Sequence, residues 1–314
     1  MAIGDVMNGL TGRLGDYLML RRALGFKLER VELLVGQFIG HLAETGTPDR
    51  FTIDDTIRWA TAPEGSAWWH SQRLSAVRGF ASYLHAIDPT VPVPPTDLLP
   101  GTAQRAVPYL YSEQDIGRLI DATGRLRQPF RQTTYRTLIG LLAVTGMRVG
   151  EAIRLDVADV DLDNQVITIR HSKFDKSRHV PIHDTVTTVL GDYLRDRRRC
   201  PTPPVCPAVF VSPAGTRLLP SNVESTFRIL VKHAGLQRRA GRCRPRIHDL
   251  RHSFAVVTLL NAYRHDGDPV TTMSVLSTYL GHVDPNATYW YLSGAPELLA
   301  LAADRLEQHQ DGQR

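Results

Sequence analysis

The run Val91-Pro92-Val93-Pro94-Pro95 is what most limits the folds open to this chain. Proline lacks the amide donor that helix and sheet interiors need and stiffens the backbone, so no regular element passes through it. Following Asp88-Pro89, it divides the 314 residues into a first part of residues 1–88, a linker of residues 89–107 and a second part of residues 108–314. Each flanking part is long enough to bury a core of its own.

Before the linker, apolar residues recur at three and four positions from Leu14 to Leu24, Leu33 to Leu42 and Leu74 to Ile87, the spacing of helices with one buried stripe. Thr52 ahead of Ile53-Asp54-Asp55 reads as a helix start, its hydroxyl able to cap free amides and the acids favourable at the positive helix end. A small helical bundle is expected. Beyond the linker, helical runs span Ser112 to Ala122 and Phe130 to Val144, and then the period changes. Val160, Leu162, Val166, Ile167 and Ile169 flank a turn at Asp163-Asn164, and His179-Val180-Pro181-Ile182 follows a second turn near Phe174-Asp175. These predict a small antiparallel sheet. Helices are expected again over Ser221 to Ala234, Leu250 to Ala262, Thr272 to Leu280 and Pro296 to Glu307. The fold class is therefore mainly α with a small antiparallel β-sheet: a helical bundle, then an α+β domain.

The formal net charge of +5 favours a polyanionic partner. Cys200, Cys206 and Cys243 are odd in number and lack metal-ligand spacing, which fits a reducing cytoplasm and no zinc knuckle. Asp5 and Asn8 interrupt any signal-peptide core, and the longest apolar run, Leu138 to Val144, is too short to span a bilayer. No membrane role is expected.

The chemistry is concentrated in the second part. His248-Asp249-Leu250-Arg251, Leu280-Gly281-His282 and Tyr291 place two imidazoles, a guanidinium and a phenol in one stretch, a set suited to attack on a phosphodiester. Upstream, Thr145-Gly146-Met147-Arg148-Val149-Gly150-Glu151 puts a second arginine at a glycine-marked helix start, and His171-Ser172-Lys173 puts a lysine between two strand-like runs. Because phosphoryl transfer builds negative charge on non-bridging oxygens, fixed cations such as Arg148 and Arg251 are the groups it needs. His248 and His252, four apart, also outline a metal-binding helix, but the guanidinium of Arg251 between them would repel a dication, and no metal or other cofactor is expected.

In this order and spacing, with Tyr291 nine residues after His282, the chain resembles the tyrosine recombinase (phage integrase) family over roughly its last two thirds. The resemblance implies conservative site-specific recombination of duplex DNA through a 3′-phosphotyrosine. Arg148 and Arg251 would clamp the phosphate, and Tyr291, ahead of Tyr289 and Tyr279, would be the nucleophile. His248 would move its proton, His282 would hydrogen-bond the phosphate, and Lys173, with Lys176 as its rival, would protonate the departing 5′ oxygen. By analogy Arg73 and Arg78 would enter a DNA groove, and the basic clusters at Arg195 to Arg199 and Arg238 to Arg246 would meet phosphates. The resemblance further implies four protomers on two DNA sites, with a second recombinase as a potential partner. Residues 281–293 look most like integrases and transposases of mobile elements, with a chromosome-dimer resolvase as the alternative within the family. A type IB topoisomerase and a catalytically silent DNA-binding protein are the alternatives outside recombination.

Overall fold

At Thr52 the side-chain oxygen accepts the Asp55 amide (3.2 Å), while the Asp55 carboxylate accepts the Thr52 amide (2.8 Å). This reciprocal cap starts a helix where the sequence places one. The computed structural model describes residues 9–47, 49–100, 107–170, 177–200, 202–239, 243–264 and 268–281. Lys173, Lys176, His282, Tyr289, Tyr291 and the expected helix over 296–307 lie outside the described residues. The chain divides into two compact units, residues 1–105 and 106–314.

The first unit is a bundle of α1 (Leu10–Ala23), α2 (Glu29–Glu44), α3 (Ile53–Thr61) and α4 (Ala67–Ile87). Val35 and Phe38 on α2 meet Leu74, Val77 and Phe80 on α4, all fully enclosed, so the three-and-four spacing of apolar residues is the stripe that makes the core. Two expectations change here. Arg73 is turned inward, only 8% exposed: its guanidinium lies 3.7 Å from the centre of the Trp59 ring and donates to the Trp59 carbonyl (2.9 Å). Held in this way, the Arg73 guanidinium serves the bundle core, stacked on Trp59 and bonded to its carbonyl. Arg78 donates to the carbonyls of Pro94 and Pro95, both at 2.7 Å, and the His85 ring bonds to Val91 O at 2.7 Å. Val91, Val93 and Leu99 pack on the bundle core. Prolines donate no hydrogen bonds but leave strong carbonyl acceptors, and Arg78 takes two of them. The stretch from 89 to 100 is thus stitched to the first unit.

The second unit contains α5 (Glu113–Ala122), α6 (Pro129–Thr145), α7 (Val149–Arg154), β1 (Val160–Asp161), β2 (Val166–Ile169), β3 (Arg178–Pro181), α8 (Asp184–Arg198), α9 (Pro220–His233), α10 (Asp249–Arg264) and α11 (Pro269–Leu280). The strands form an antiparallel sheet in the order β1-β2-β3, with Val160 opposite Ile167 and Ile167 opposite Val180. Ile167, Ile169 and Val180 are buried, so the period of two in the sequence is the inward face of the sheet. Helix α6 packs against α5, α8 and α10.

Helix α8 falls on residues whose charge conceals it. Leu190, Tyr193 and Leu194 form its buried stripe, whereas Arg195, Arg197 and Arg198 read as a basic run. Part of that basic run serves the fold: Arg197 donates to the carbonyls of Ala208 and Cys206, both at 2.8 Å. In the second basic cluster Arg239 pairs with buried Asp115 (3.1 Å) and lies 4.2 Å from the Tyr109 ring centre. Arg195, Arg198, Arg199, Arg238 and Arg244 remain exposed. Among the described residues no helix is long and apolar enough to cross a membrane.

Candidate active site

Helix α6 ends because Gly146 turns left-handed, at φ 59° and ψ 14°. A Cβ there would stand 2.4 Å from Cδ1 of Phe254, so both the backbone conformation and the space demand glycine. Replacing Gly146 by alanine is expected to destabilise the protein by about 2–4 kcal/mol, combining the left-handed strain with overpacking. A thermal melt of the variant indistinguishable from the parent would show that this account of the turn is wrong.

The turn delivers Arg148 to the start of α7. Its backbone amide donates to Glu151 Oε2 (2.9 Å) and its Nη1 to Glu151 Oε1 (2.8 Å). On the other side of the site, Asp249 begins α10 fully enclosed, gripped by both Nε (2.9 Å) and Nη2 (2.8 Å) of Arg246. A paired carboxylate at a helix N-terminus suits the dipole there and fixes where the helix starts. That start in turn places His248 just outside the helix and Arg251 in its first turn.

Arg251 is only 2% exposed. Its Nη1 donates to the carbonyl of Gly146 (2.8 Å) and its Nη2 to that of Leu280 (2.7 Å), tying the end of α6 to the end of α11. Arg148 Nη2 approaches the Gly281 carbonyl at 3.5 Å. Arg178, the first residue of β3, completes the set. Its Nε donates to the Tyr279 carbonyl (2.8 Å), and its Nη1 and Nη2 donate to the two oxygens of Glu151 (3.1 and 2.8 Å). Three guanidiniums therefore meet three successive carbonyls, Tyr279, Leu280 and Gly281, at the end of α11. Those carbonyls have no partner within the helix and carry its negative dipole end, so cations there are favourable.

The electrostatics follow from this geometry. Burial alone would raise the Glu151 carboxyl, but Arg178 and then Arg148 outweigh it by hydrogen bonds and charge and hold it at about 2. Glu151 is ionised across the whole physiological range. His248 keeps a solvent-facing edge, yet the protein around it strips away water, and the charges of Arg251 and Arg148 add to that effect against Asp249. Its imidazole is lowered below the ordinary value, so it is neutral near pH 7 and can accept a proton. The His252 ring stands edge-on to it at 5.4 Å. Among the described residues no group of three or more histidine, cysteine, aspartate or glutamate side chains could hold a metal ion.

Of the six residues expected at the site, Arg148, His248 and Arg251 are described and lie together. Lys173, His282 and Tyr291 lie outside the described residues; the segment with Lys173 joins β2 to β3, and His282 directly follows Gly281. Tyr279, a competitor of Tyr291 in the sequence, is stacked on Phe254 with ring centres 5.7 Å apart, and burial raises its hydroxyl above the ordinary value. A raised phenol is a poorer source of nucleophile. Arg178 escaped the sequence reading. The signal was present: it stands two before buried Val180 on a strand, hence on the inward face, where an arginine needs a partner.

Comparison with known proteins gives a consistent result. The family model described as the phage integrase family matches residues 110–297. A Sinorhizobium fredii protein named as an integrase/recombinase, y4rB, is 43% identical over 93% of this chain and 95% of its own length. Among solved structures, the XerA recombinase superposes with a TM-score of 0.51 at 26% identity, covering 96% of this chain and 98% of XerA. The Tn1549 transposon integrase, solved with transposon right end DNA, shares the fold with a TM-score of 0.64 at 15% identity, covering 96% of this chain and all of the solved one.

Proposed function

Because this chain belongs to the phage integrase family of tyrosine recombinases, we propose that it cuts and rejoins duplex DNA through a covalent 3′-phosphotyrosine on Tyr291. It is a site-specific recombinase; the steps that follow are our reading of how it works. The Tyr291 oxygen attacks the scissile phosphorus and loses its proton to neutral His248. The P–O bond to the 5′ side breaks, and Lys173 protonates the departing oxygen. Arg148 and Arg251 hold the non-bridging oxygens, the planar, permanently charged guanidinium being suited to grip two oxygens at once. His282 hydrogen-bonds the same phosphate. The freed 5′ hydroxyl then attacks a partner strand's phosphotyrosine, which conserves the bond energy.

The observation that carries this reading is the convergence of Arg148 and Arg251 on the turn immediately before His282, with His248 at the same helix start. Substrate and assembly follow the family: two duplex sites held by four protomers, in the service of a mobile element, with a second recombinase as a partner in some settings. The likeness to y4rB over nearly the whole chain supports the integrase role.

Nicked 40-base-pair duplexes with a randomised centre, incubated with the full chain, test it directly. A covalent protein–DNA adduct is expected, and it should form equally in EDTA because the arginines supply the charge a metal would bring. No adduct from any sequence, or an adduct lost on chelation and restored by magnesium, would overturn the mechanism.

A further inference from the structure

We propose that Arg178 is a positioning residue for strand cleavage: its guanidinium fastens β3 to Glu151 and to the Tyr279 carbonyl, and so fixes both the Arg148 fork and the turn that leads into His282. The inference rests on the recombinase reading above. Its basis is the double use of one side chain. Two nitrogens of Arg178 take both oxygens of Glu151, and the third takes the end of α11. Glu151 in turn holds the backbone and side chain of Arg148. Arg178 is thus one link from the phosphate clamp on one side and two residues from Gly281 on the other.

Space enforces the same arrangement. Gly281 has φ 68°, and a Cβ there would come within 3.0 Å of Arg178 Nη1, so the turn is folded directly over this guanidinium. The side chain of Arg178 is 13% exposed and that of Glu151 2%, which shields the pair from solvent and salt. Arg178 also begins β3, so one residue ties that strand to α7 and to the end of α11.

The test compares single-turnover covalent capture of a nicked duplex selected from the randomised pool by the unaltered protein, alongside melting temperature and duplex affinity. R178M is expected to bind the duplex as the parent does while capturing it on the order of 100-fold more slowly, the scale of effect that an ångström of misplacement has on a reacting group. R178K, which keeps the charge but not the planar fork, should recover part of the rate. E151Q should also slow capture, and R178M/E151Q should be no slower than R178M, because both changes break one chain of contacts.

A pH profile separates this role from simple loss of fold. Among the described residues, the charged groups facing Glu151 are Arg148 at the start of its own helix and Arg178 from β3. Every variant shares the acid limb on which His248 takes up a proton; without Arg178 the Glu151 carboxyl rises from its depressed value, so along that limb R178M should fall more steeply with falling pH than E151Q, which has no carboxyl to protonate. Capture at the parent rate by R178M or E151Q, or slowing that multiplies in the double variant, would overturn the proposal. Neither result touches the recombinase reading, which stands or falls on whether the unaltered protein forms the adduct.

Discussion

Replacing Tyr291 by phenylalanine is expected to abolish covalent capture while leaving duplex binding intact. The substitution removes one oxygen and preserves the ring, so only the proposed nucleophile is lost. Tyr289→Phe should capture normally, and so should Tyr279→Phe, whose ring is stacked on Phe254 with its hydroxyl raised by burial. Denaturing gels of the three variants on a nicked duplex decide among them. Retained capture by Tyr291→Phe, with loss in Tyr289→Phe, would move the nucleophile by two residues.

The second large effect belongs to Arg251→Met, which should impair stability and chemistry together. Loss of the guanidinium orphans the carbonyls of Gly146 and Leu280 at 2.8 and 2.7 Å, both against a nearly fully buried side chain. An unsatisfied buried acceptor costs about 1–3 kcal/mol, so for the two carbonyls a loss of about 2–6 kcal/mol is expected. Cleavage should fall by a factor of about 100–1,000 or more, the range seen when one preorganised donor is taken from a developing anion. Arg251→Lys keeps the charge but cannot bridge two carbonyls in one plane, and should fall between the two. Calorimetry and single-turnover capture check the two halves separately. An Arg251→Met protein with the parent's melting temperature would refute the structural half, and one with the parent's capture rate the catalytic half.

Much of the fold is legible because local physics writes it into short windows. The Thr52 cap, the three-and-four spacing on α2 and α4, and the alternation through Ile167 and Ile169 each need only neighbouring residues to be recognised. What escaped was set at longer range or hidden by charge. The stripe of α8 is outweighed in composition by its arginines, and the proline run reads as a tether because Arg78, which fastens it, lies on a different element. The groove role expected of Arg73 rested on analogy and could not foresee Trp59 beneath it. The site shows the same division. Residue types at Arg148, His248 and Arg251 announce phosphodiester chemistry, and the family resemblance orders them. No window of sequence relates Arg251 to a carbonyl 105 positions away, or Arg178 to Glu151.

The meeting of three guanidiniums on the last carbonyls of α11 has a bearing on how such a protein ages and evolves. Since the cations are set in place by folding itself, little reorganisation remains when substrate arrives. The same contacts, however, are what keep the end of that helix from fraying, and helix ends open well before a protein unfolds as a whole. Heat, or a mildly destabilising substitution anywhere along α10 or α11, should therefore silence the enzyme while most of the chain is still folded. A lineage that drifts in stability would lose strand exchange first and solubility later, leaving intact, folded proteins that no longer cut.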